Sequence, residues 1–142
     1  MRSLSLKRFL LFSLTALLLT ACAALRPVTT PVSENPAVLT LVEQARAEAA
    51  ENKLNSAIAT IERAQRLEPR NPWLWQELAR LYLAQGNNAQ AESLAARSNT
   101  WAGSDWTLRA TNWRLISAAR AARGDTTGAQ EAEARAAKLE RR

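Results

Sequence analysis

Residues 71–91 read NPWLWQELARLYLAQGNNAQA, and this stretch decides the fold of the chain. It opens with Asn71-Pro72, a pair typical of helix starts, because asparagine serves as an N-cap and proline fits the first helical position. Leucine, alanine, glutamate and arginine then favour a helix up to Gly86, and glycine suits the left-handed residue that follows a helix end. A second helical run begins after it. The stretch therefore predicts two helices, over 72–85 and 88–98, joined by a tight turn.

The same helix–turn–helix pattern occurs three times. Residues 52–57 align with 86–91 at a separation of 34, and 124–129 follow at a further 38. Asn35-Pro36 repeats the helix start of the second pair, and Asp125 follows Gly124 as the N-cap of the last helix. We predict the other helices over 37–51, 54–68, 106–122 and 126–140. Since no stretch alternates apolar and polar residues, we expect an all-α fold of six helices without strands.

The second pair resembles a tetratricopeptide repeat (TPR). The positions of the family pattern W-L-G-Y-G-A hold Trp75, Leu78, Ala79, Tyr82, Gly86 and Ala91. The first pair keeps Ala57, Ile61, Ala64 and Pro69, and the third keeps Trp113, Ile116 and Gly124 but has Arg120 at a position that is usually aromatic. The resemblance implies a short TPR solenoid of about three repeats over residues 36–142. It also implies protein binding and no enzymatic activity.

The first 21 residues are typical of a signal peptide. Arg2, Lys7 and Arg8 precede an apolar run of about eleven residues, which is shorter than the roughly 20 that a membrane span requires. Leu19-Thr20-Ala21-Cys22 resembles the lipobox of bacterial lipoproteins, in which the cysteine is lipidated and becomes the first residue of the mature chain. An ordinary secretory signal cleaved near a cysteine is the alternative.

We therefore expect a lipoprotein signal peptide over 1–21, then lipidated Cys22 and a flexible tether over 22–35. Ala23 follows the cysteine in place of the aspartate that usually signals retention in the inner membrane. The resemblance thus implies an anchor in the outer membrane, with the domain facing the periplasm.

Composition excludes several classes of function. The chain has no histidine, and its one cysteine is Cys22, which excludes a histidine-dependent triad or a Cys/His metal site. When Arg2, Lys7 and Arg8 leave with the signal peptide, 16 basic residues remain against 13 acidic ones. So small a surplus gives little support to nucleic-acid binding. We expect no catalytic residue, no metal and no cofactor.

The family also predicts where a partner binds. In TPR proteins the first helix of each pair lines a concave groove, and its outward positions here include Arg46, Trp73, Gln76, Arg80 and Arg114. Arginines beside an aromatic residue are typical of binding hot spots and suit carboxylate-bearing peptides. Alternatively, these arginines pair with glutamates such as Glu43 and Glu77 or are simply solvated. The lysine and asparagine pattern by which chaperone-binding members hold a terminal carboxylate is absent.

Two further tryptophans mark a second candidate surface, the connector patch of Trp101 and Trp106. Trp101 lies in a predicted long connector from Ser98 to Asp105, and Trp106 follows it. Trp101 either folds back as a lid over the solenoid or forms an exposed apolar patch with Trp106, which would mark an interaction surface.

Small lipoproteins of this layout resemble activators of bifunctional cell-wall synthases, the class A penicillin-binding proteins. The resemblance implies a protein that docks on such a synthase from the outer membrane and shifts it towards its active state. A pilotin-like lipoprotein that helps a secretin reach the outer membrane is one alternative, and a general envelope-assembly adaptor is another. The sequence leaves the partner and the oligomeric state open.

Overall fold

The computed structural model describes residues 32–141, and six α-helices fill most of this range. They are α1 (Pro36–Ala50), α2 (Leu54–Leu67), α3 (Pro72–Ala84), α4 (Asn88–Trp101), α5 (Trp106–Ala122) and α6 (Thr126–Glu140). Residues 32–141 contain no strand, so the all-α fold of three helix pairs is confirmed. The signal peptide, Cys22 and the tether up to residue 31 lie outside the described residues, as does Arg142.

The helices start where the sequence places capping residues. The side chains of Asn35 and Asn71 each accept the backbone N–H two residues further on, at 3.0 and 2.9 Å, and a proline follows each of them. Asp105 and Asp125 accept the N–H three residues further on, at 2.9 and 2.8 Å. These bonds satisfy donors that the first turn of a helix leaves without an intrahelical partner.

The turns inside the three pairs share one backbone geometry. Asn52, Gly86 and Gly124 occupy aligned positions, and their φ angles of 61°, 80° and 83° lie in the left-handed region. In the middle turn the N–H of Asn87 donates to the carbonyl of Tyr82 at 2.9 Å. This arrangement is a Schellman motif, which satisfies carbonyls at the helix end. The predicted left-handed conformation of the two glycines is confirmed.

Apolar burial joins the helices. The short turns make the two helices of each pair antiparallel, while α2 packs on α3 and α4 on α5 to join successive pairs. Ala57, Ala79 and Ala91 are fully buried, and their small side chains let neighbouring helices approach closely. The larger side chains of Ile61 and Leu74 fill the remaining space of the core.

The third pair packs as a regular helix pair although its sequence departs from the family pattern. Arg120 of α5 takes the position that Tyr82 holds in the second pair. Its Nε donates to Glu92 of α4 at 2.8 Å, and this hydrogen bond raises the pKa of Arg120 above its ordinary value. Arg123 pairs with the same carboxylate. An ion-pair cluster between α4 and α5 therefore replaces the usual aromatic contact.

The antiparallel pairs give the solenoid two different ends. At the loop end, α1, α3 and α5 begin and α2, α4 and α6 finish, with the connections 68–71 and 102–105 between them. At the turn end lie the three tight turns, 51–53, 85–87 and 123–125. Because each element alternates direction, residues far apart in sequence meet at the same end.

The last four residues of the expected tether, 32–35, lie against the domain. Ser33 is buried, and its hydroxyl donates to the Glu68 carboxylate at 2.6 Å. The side-chain amide of Asn71 donates to the carbonyl of Val32 at 2.7 Å and to Glu68 at 2.6 Å. These bonds hold the segment on the connection between α2 and α3, so the described chain enters the domain at the loop end.

Replacing Gly86 by alanine tests the turn geometry. Gly86→Ala should lower the free energy of unfolding by roughly 1 kcal/mol, because a left-handed backbone is unfavourable for a residue with a Cβ. A Cβ at this position meets nothing within 4 Å, so backbone strain rather than a clash is the expected cause. Urea unfolding followed by circular dichroism measures the change. Asn87→Ala, at a residue with φ of −78°, is the control, and equal losses in the two variants would contradict this account.

Candidate partner-binding surface

A cleft of about 380 Å³ opens between α1 and α3 on the side of the turn end, and we call it the α1–α3 cleft. Its apolar lining includes Ala45, Ala49, Leu54, Leu81 and Ala84. Arg46 of α1 and Glu77 and Arg80 of α3 supply its charged groups. Alanines make up most of the α1 side of the lining, and Ala84 lies on α3, which leaves room for the side chains of a partner.

Glu77 holds both arginines of the cleft. Its carboxylate lies 3.0 Å from the Arg46 guanidinium and 3.6 Å from that of Arg80, and its side chain is only 12% exposed. Arg46 also contacts Glu43 at 3.2 Å. The hydrogen bond that Arg46 donates to Glu77 raises the pKa of Arg46 above its ordinary value. The internal pairing with Glu43 and Glu77 that the sequence left open is therefore present.

These pairs determine what the cleft can bind. The side chains of Arg46 and Arg80 remain 46% and 54% exposed, so both guanidiniums can still reach a partner. An incoming carboxylate must, however, share them with Glu77. A surface that carries both signs of charge around an apolar cleft suits a partner with apolar and mixed charged side chains better than a purely acidic peptide.

Arg114 does not join the other two arginines. It lies on α5, where its guanidinium contacts the Glu140 carboxylate of α6 through two bonds, at 2.5 and 2.8 Å. Glu133, also on α6, lies 3.5 Å away. Arg114 lines a separate hollow with Trp106 and Leu139. The structure thus brings two of the three predicted arginines together, and it turns the third towards α6.

The prediction that Gln76 faces the groove is corrected by its burial. Only 7% of Gln76 is exposed, because α5 packs over this face of α3. Its side-chain amide donates to the carbonyl of Leu108 at 3.3 Å and to the Asn112 side chain at 2.8 Å. Asn112, which is fully buried, donates in turn to the hydroxyl of Ser98 at 2.7 Å. Gln76 therefore belongs to a buried polar network that joins α3, α4 and α5.

The sequence carried one signal for this network. Asn112 stands midway between Leu108 and Ile116, at intervals of four residues, and all three are buried. A polar residue in the middle of an apolar helical stripe indicates either a buried hydrogen bond or a defect. Only the fold shows that Gln76 and Ser98 lie within reach.

The three tryptophans without a consensus role lie at the loop end. Trp73, predicted in the groove, is partly buried and lines a shallow hollow with Val32 and Pro69. Trp101 is the last residue of α4, which has 14 residues like α2, so the predicted long connector is in fact helical up to residue 101. The four residues by which the repeat spacing of 38 exceeds 34 lie in α5, which has 17 residues against 13 in α3. It is 43% exposed and Trp106 is 37% exposed, so the lid over the solenoid does not form.

The described residues offer no metal site. Within residues 32–141, no group of three or more acidic or cysteine side chains could hold a metal ion. None of the helices in this range is both long enough and apolar enough to cross a membrane.

Comparison with known proteins now identifies the family. The tetratricopeptide-repeat model matches residues 39–105, the first two helix pairs and the connection to the third. The globular C-terminal domain of P. aeruginosa LpoP is 40% identical, with a TM-score of 0.72, and the match covers 73% of this chain and 98% of that domain. The chain belongs to the tetratricopeptide-repeat family. It is a relative of the LpoP domain along nearly all of that domain's length.

Two more distant structures share the fold alone. The first TPR domain of Spaghetti (RPAP3), bound to an HSP90 peptide, is 24% identical with a TM-score of 0.66. The match covers 73% of this chain and 79% of that domain. The N-terminal domain of STI-1 from C. elegans is 14% identical with a TM-score of 0.69, over 80% of this chain and 91% of that one. Comparison with curated protein sequences gives no match.

The family membership agrees with the geometry. A TPR domain is a protein-interaction domain, and the α1–α3 cleft lies between the first helices of two neighbouring repeats. The third pair lies beyond the residues that the family model matches. The match to the LpoP domain is longer, because it covers 73% of this chain. The predicted TPR solenoid of three pairs is confirmed.

Removing the shared carboxylate of the cleft should cost little stability. Glu77→Gln should lower the free energy of unfolding by about 0.5–1 kcal/mol, because both arginines are half exposed and water screens the pairs. The loss should shrink at high salt. Urea unfolding at low and high salt measures it, with Glu43→Gln, at a side chain 75% exposed, as the control. A loss of several kcal/mol that salt does not change would contradict this account.

Breaking the buried network should cost more. Asn112→Ala removes, away from water, the acceptor of the shorter Gln76 amide bond and the amide that donates to the Ser98 hydroxyl, so we expect a loss of about 2 kcal/mol in the free energy of unfolding. Asn99→Ala removes a partly exposed member that Asn112 contacts at 3.0 Å, and it should cost less than about 1 kcal/mol. Thermal and urea unfolding compare the two variants. Similar losses would show that the network adds nothing to the packing of the third pair.

Proposed function

We propose that this chain is a lipid-anchored TPR protein of the outer membrane that regulates a class A penicillin-binding protein from the periplasmic side. The observation that carries the proposal is the 40% identity to the LpoP domain over 98% of its length. The lipobox-like sequence at Cys22 supports the anchor, and Ala23 supports the outer membrane. The TPR fold supports protein binding as the activity.

The α1–α3 cleft is the surface that best fits this role. It combines an apolar lining with two half-exposed arginines, and a partner side chain could enter between the two helices. Arginine is a typical hot-spot residue, because its planar guanidinium can donate several hydrogen bonds and also stack on an aromatic ring. Docking there would favour the active conformation of the synthase if the cleft binds that conformation more tightly than the inactive one.

Binding of the purified synthase tests both the partner and the site. We expect the full-length lipoprotein in detergent to bind the class A penicillin-binding protein of the same genome and to raise its rate of glycan polymerisation. Arg46→Ala with Arg80→Ala should weaken binding about tenfold or more, equal to at least 1.4 kcal/mol, because both guanidiniums of the cleft are lost. Arg63→Ala, at an exposed arginine of α2, is the matched control.

Other outcomes would contradict parts of the proposal. Full binding by the double arginine variant, with loss of binding on substitution of Trp101 or Trp106, would move the site to the connector patch. Binding without any change in the polymerisation rate would leave an adaptor rather than a regulator. Failure to bind the synthase, together with binding of a purified secretin, would favour the pilotin-like alternative.

A further inference from the structure

The large apolar side chains that are exposed in the described part of the chain are all at one end. Among residues 32–141, the large hydrophobic side chains that are exposed are Leu39, Leu67, Trp101 and Trp106, at 38, 53, 43 and 37%. Leu39 lies in the first turn of α1, and the other three are the last residue of α2, the last of α4 and the first of α5. Every one of these positions belongs to the loop end.

The turn end is polar by contrast. Its three turns read Glu51-Asn52-Lys53, Gln85-Gly86-Asn87 and Arg123-Gly124-Asp125. Residues of this kind are what solvent-exposed turns normally carry. An apolar loop end opposite a polar turn end is not required by the helix pairs, since both ends are built from connections of three or four residues. The asymmetry therefore indicates that something covers the loop end.

The loop end also combines tryptophan with arginine. The Arg70 guanidinium lies over the Trp101 ring at 5.3 Å, and that of Arg109 lies over the Trp106 ring at the same distance. Arg66 in the last turn of α2 is exposed as well. Tryptophan with its amphipathic ring is enriched where a membrane meets water, and arginine binds phosphate groups.

The acidic residues of this end are mostly engaged within the protein. Glu68 accepts bonds from Ser33 and Asn71, and Asp105 caps α5. Glu140 is paired with Arg114. Glu34 is the exception, because it is exposed. Arg66 and Arg70 are both exposed as well, so the loop end carries more available positive than negative charge. Charge complementarity thus favours a surface of phosphates.

The position of the chain entry identifies that surface. Val32 and Ser33 are fixed at the loop end by their bonds to Asn71 and Glu68. The chain between Cys22 and Val32 spans at most about 35 Å when fully extended. A lipid on Cys22 would therefore hold the loop end close to the bilayer, at the end that carries the exposed tryptophans.

We propose that the loop end rests on the membrane surface, with Leu67, Trp101 and Trp106 at the level of the lipid headgroups and Arg66 and Arg70 on lipid phosphates. This proposal rests on the lipid anchor of the proposed function but not on the identity of the protein partner. The α1–α3 cleft lies towards the turn end, so this orientation directs the cleft away from the bilayer.

Tryptophan fluorescence in vesicles tests the proposal. The full-length lipidated chain is reconstituted into vesicles of phosphatidylethanolamine and phosphatidylglycerol, with and without brominated acyl chains, which quench nearby tryptophans. We expect the brominated lipids to lower the emission by about two fifths, the share that Trp101 and Trp106 make of the five tryptophans. Leu39→Glu with Leu67→Glu keeps every tryptophan and should abolish the quenching, because two charges are placed at an apolar surface.

The control places the same two charges at the opposite end. Ser56→Glu with Ala89→Glu substitutes exposed residues near the turn end and should leave the quenching unchanged, with helicity checked by circular dichroism in every variant. Equal emission in both kinds of vesicle would overturn the proposal, as would normal quenching in the Leu39→Glu/Leu67→Glu variant. If that variant instead loses binding of the synthase while no quenching occurs, a protein covers the loop end.

Flotation of the vesicles separates this proposal from the proposed function. A chain that does not float with the vesicles lacks the lipid anchor, which overturns the membrane contact together with the proposed location. A chain that floats and is quenched but does not bind the synthase supports the membrane contact and contradicts the proposed partner. A chain that floats and binds the synthase but is not quenched supports the proposed partner and contradicts the membrane contact.

Discussion

No helix pair in this protein can bury its own apolar face, so the structure depends on burial between successive pairs. Many of the side chains that make these contacts are small. Fully buried alanines such as Ala57, Ala79 and Ala95 bring helix backbones close, and Leu74 and Ile61 fill the volume that remains. Dense packing of this kind gives every element a fixed neighbour, which in turn fixes the α1–α3 cleft and the positions of the two ends.

The junction between the second and third pairs is held by a different kind of contact. Gln76, Asn112 and Ser98 form a buried polar network across α3, α4 and α5, and Arg120 binds Glu92 at the partly exposed edge of the same junction. Polar groups taken from water must find partners, so such a network accepts only one register between the helices. It explains how a third pair with a weak family pattern still packs as a repeat.

The cleft and the loop end are two surfaces of different character. The cleft carries charge of both signs around an apolar lining, as a protein-binding surface does. The loop end carries exposed tryptophans and leucines where the chain enters the domain. Because antiparallel pairs place these features at opposite ends of the helices, one surface can be covered while the other stays available.

Most of the secondary structure could be predicted, because its signals act over a few residues. The side chains of Asn35 and Asn71 each accept the backbone N–H of the residue two positions further on. Gly86 adopts the left-handed conformation that its turn requires. The sequence predicts the end of α4 at residue 98, three residues before the observed end at Trp101. Asn99 and Thr100 are polar enough to indicate a connector, and only the contact of Asn99 with Asn112 of α5 shows why the helix continues.

The sequence by itself determined the helices, their turns and the repeat, and it placed Arg46 and Arg80 on the outward faces of their helices. Tertiary structure alone decided that Gln76 is buried beneath α5 and that Arg114 binds glutamates on α6. The physical reason is distance along the chain. Helical spacing places a residue on a face of its own helix, but it does not identify the partner from another helix. Glu140, which pairs with Arg114, is 26 residues away, and Asn112, which bonds Gln76, is 36 residues away. That partner is known only once the helices have packed.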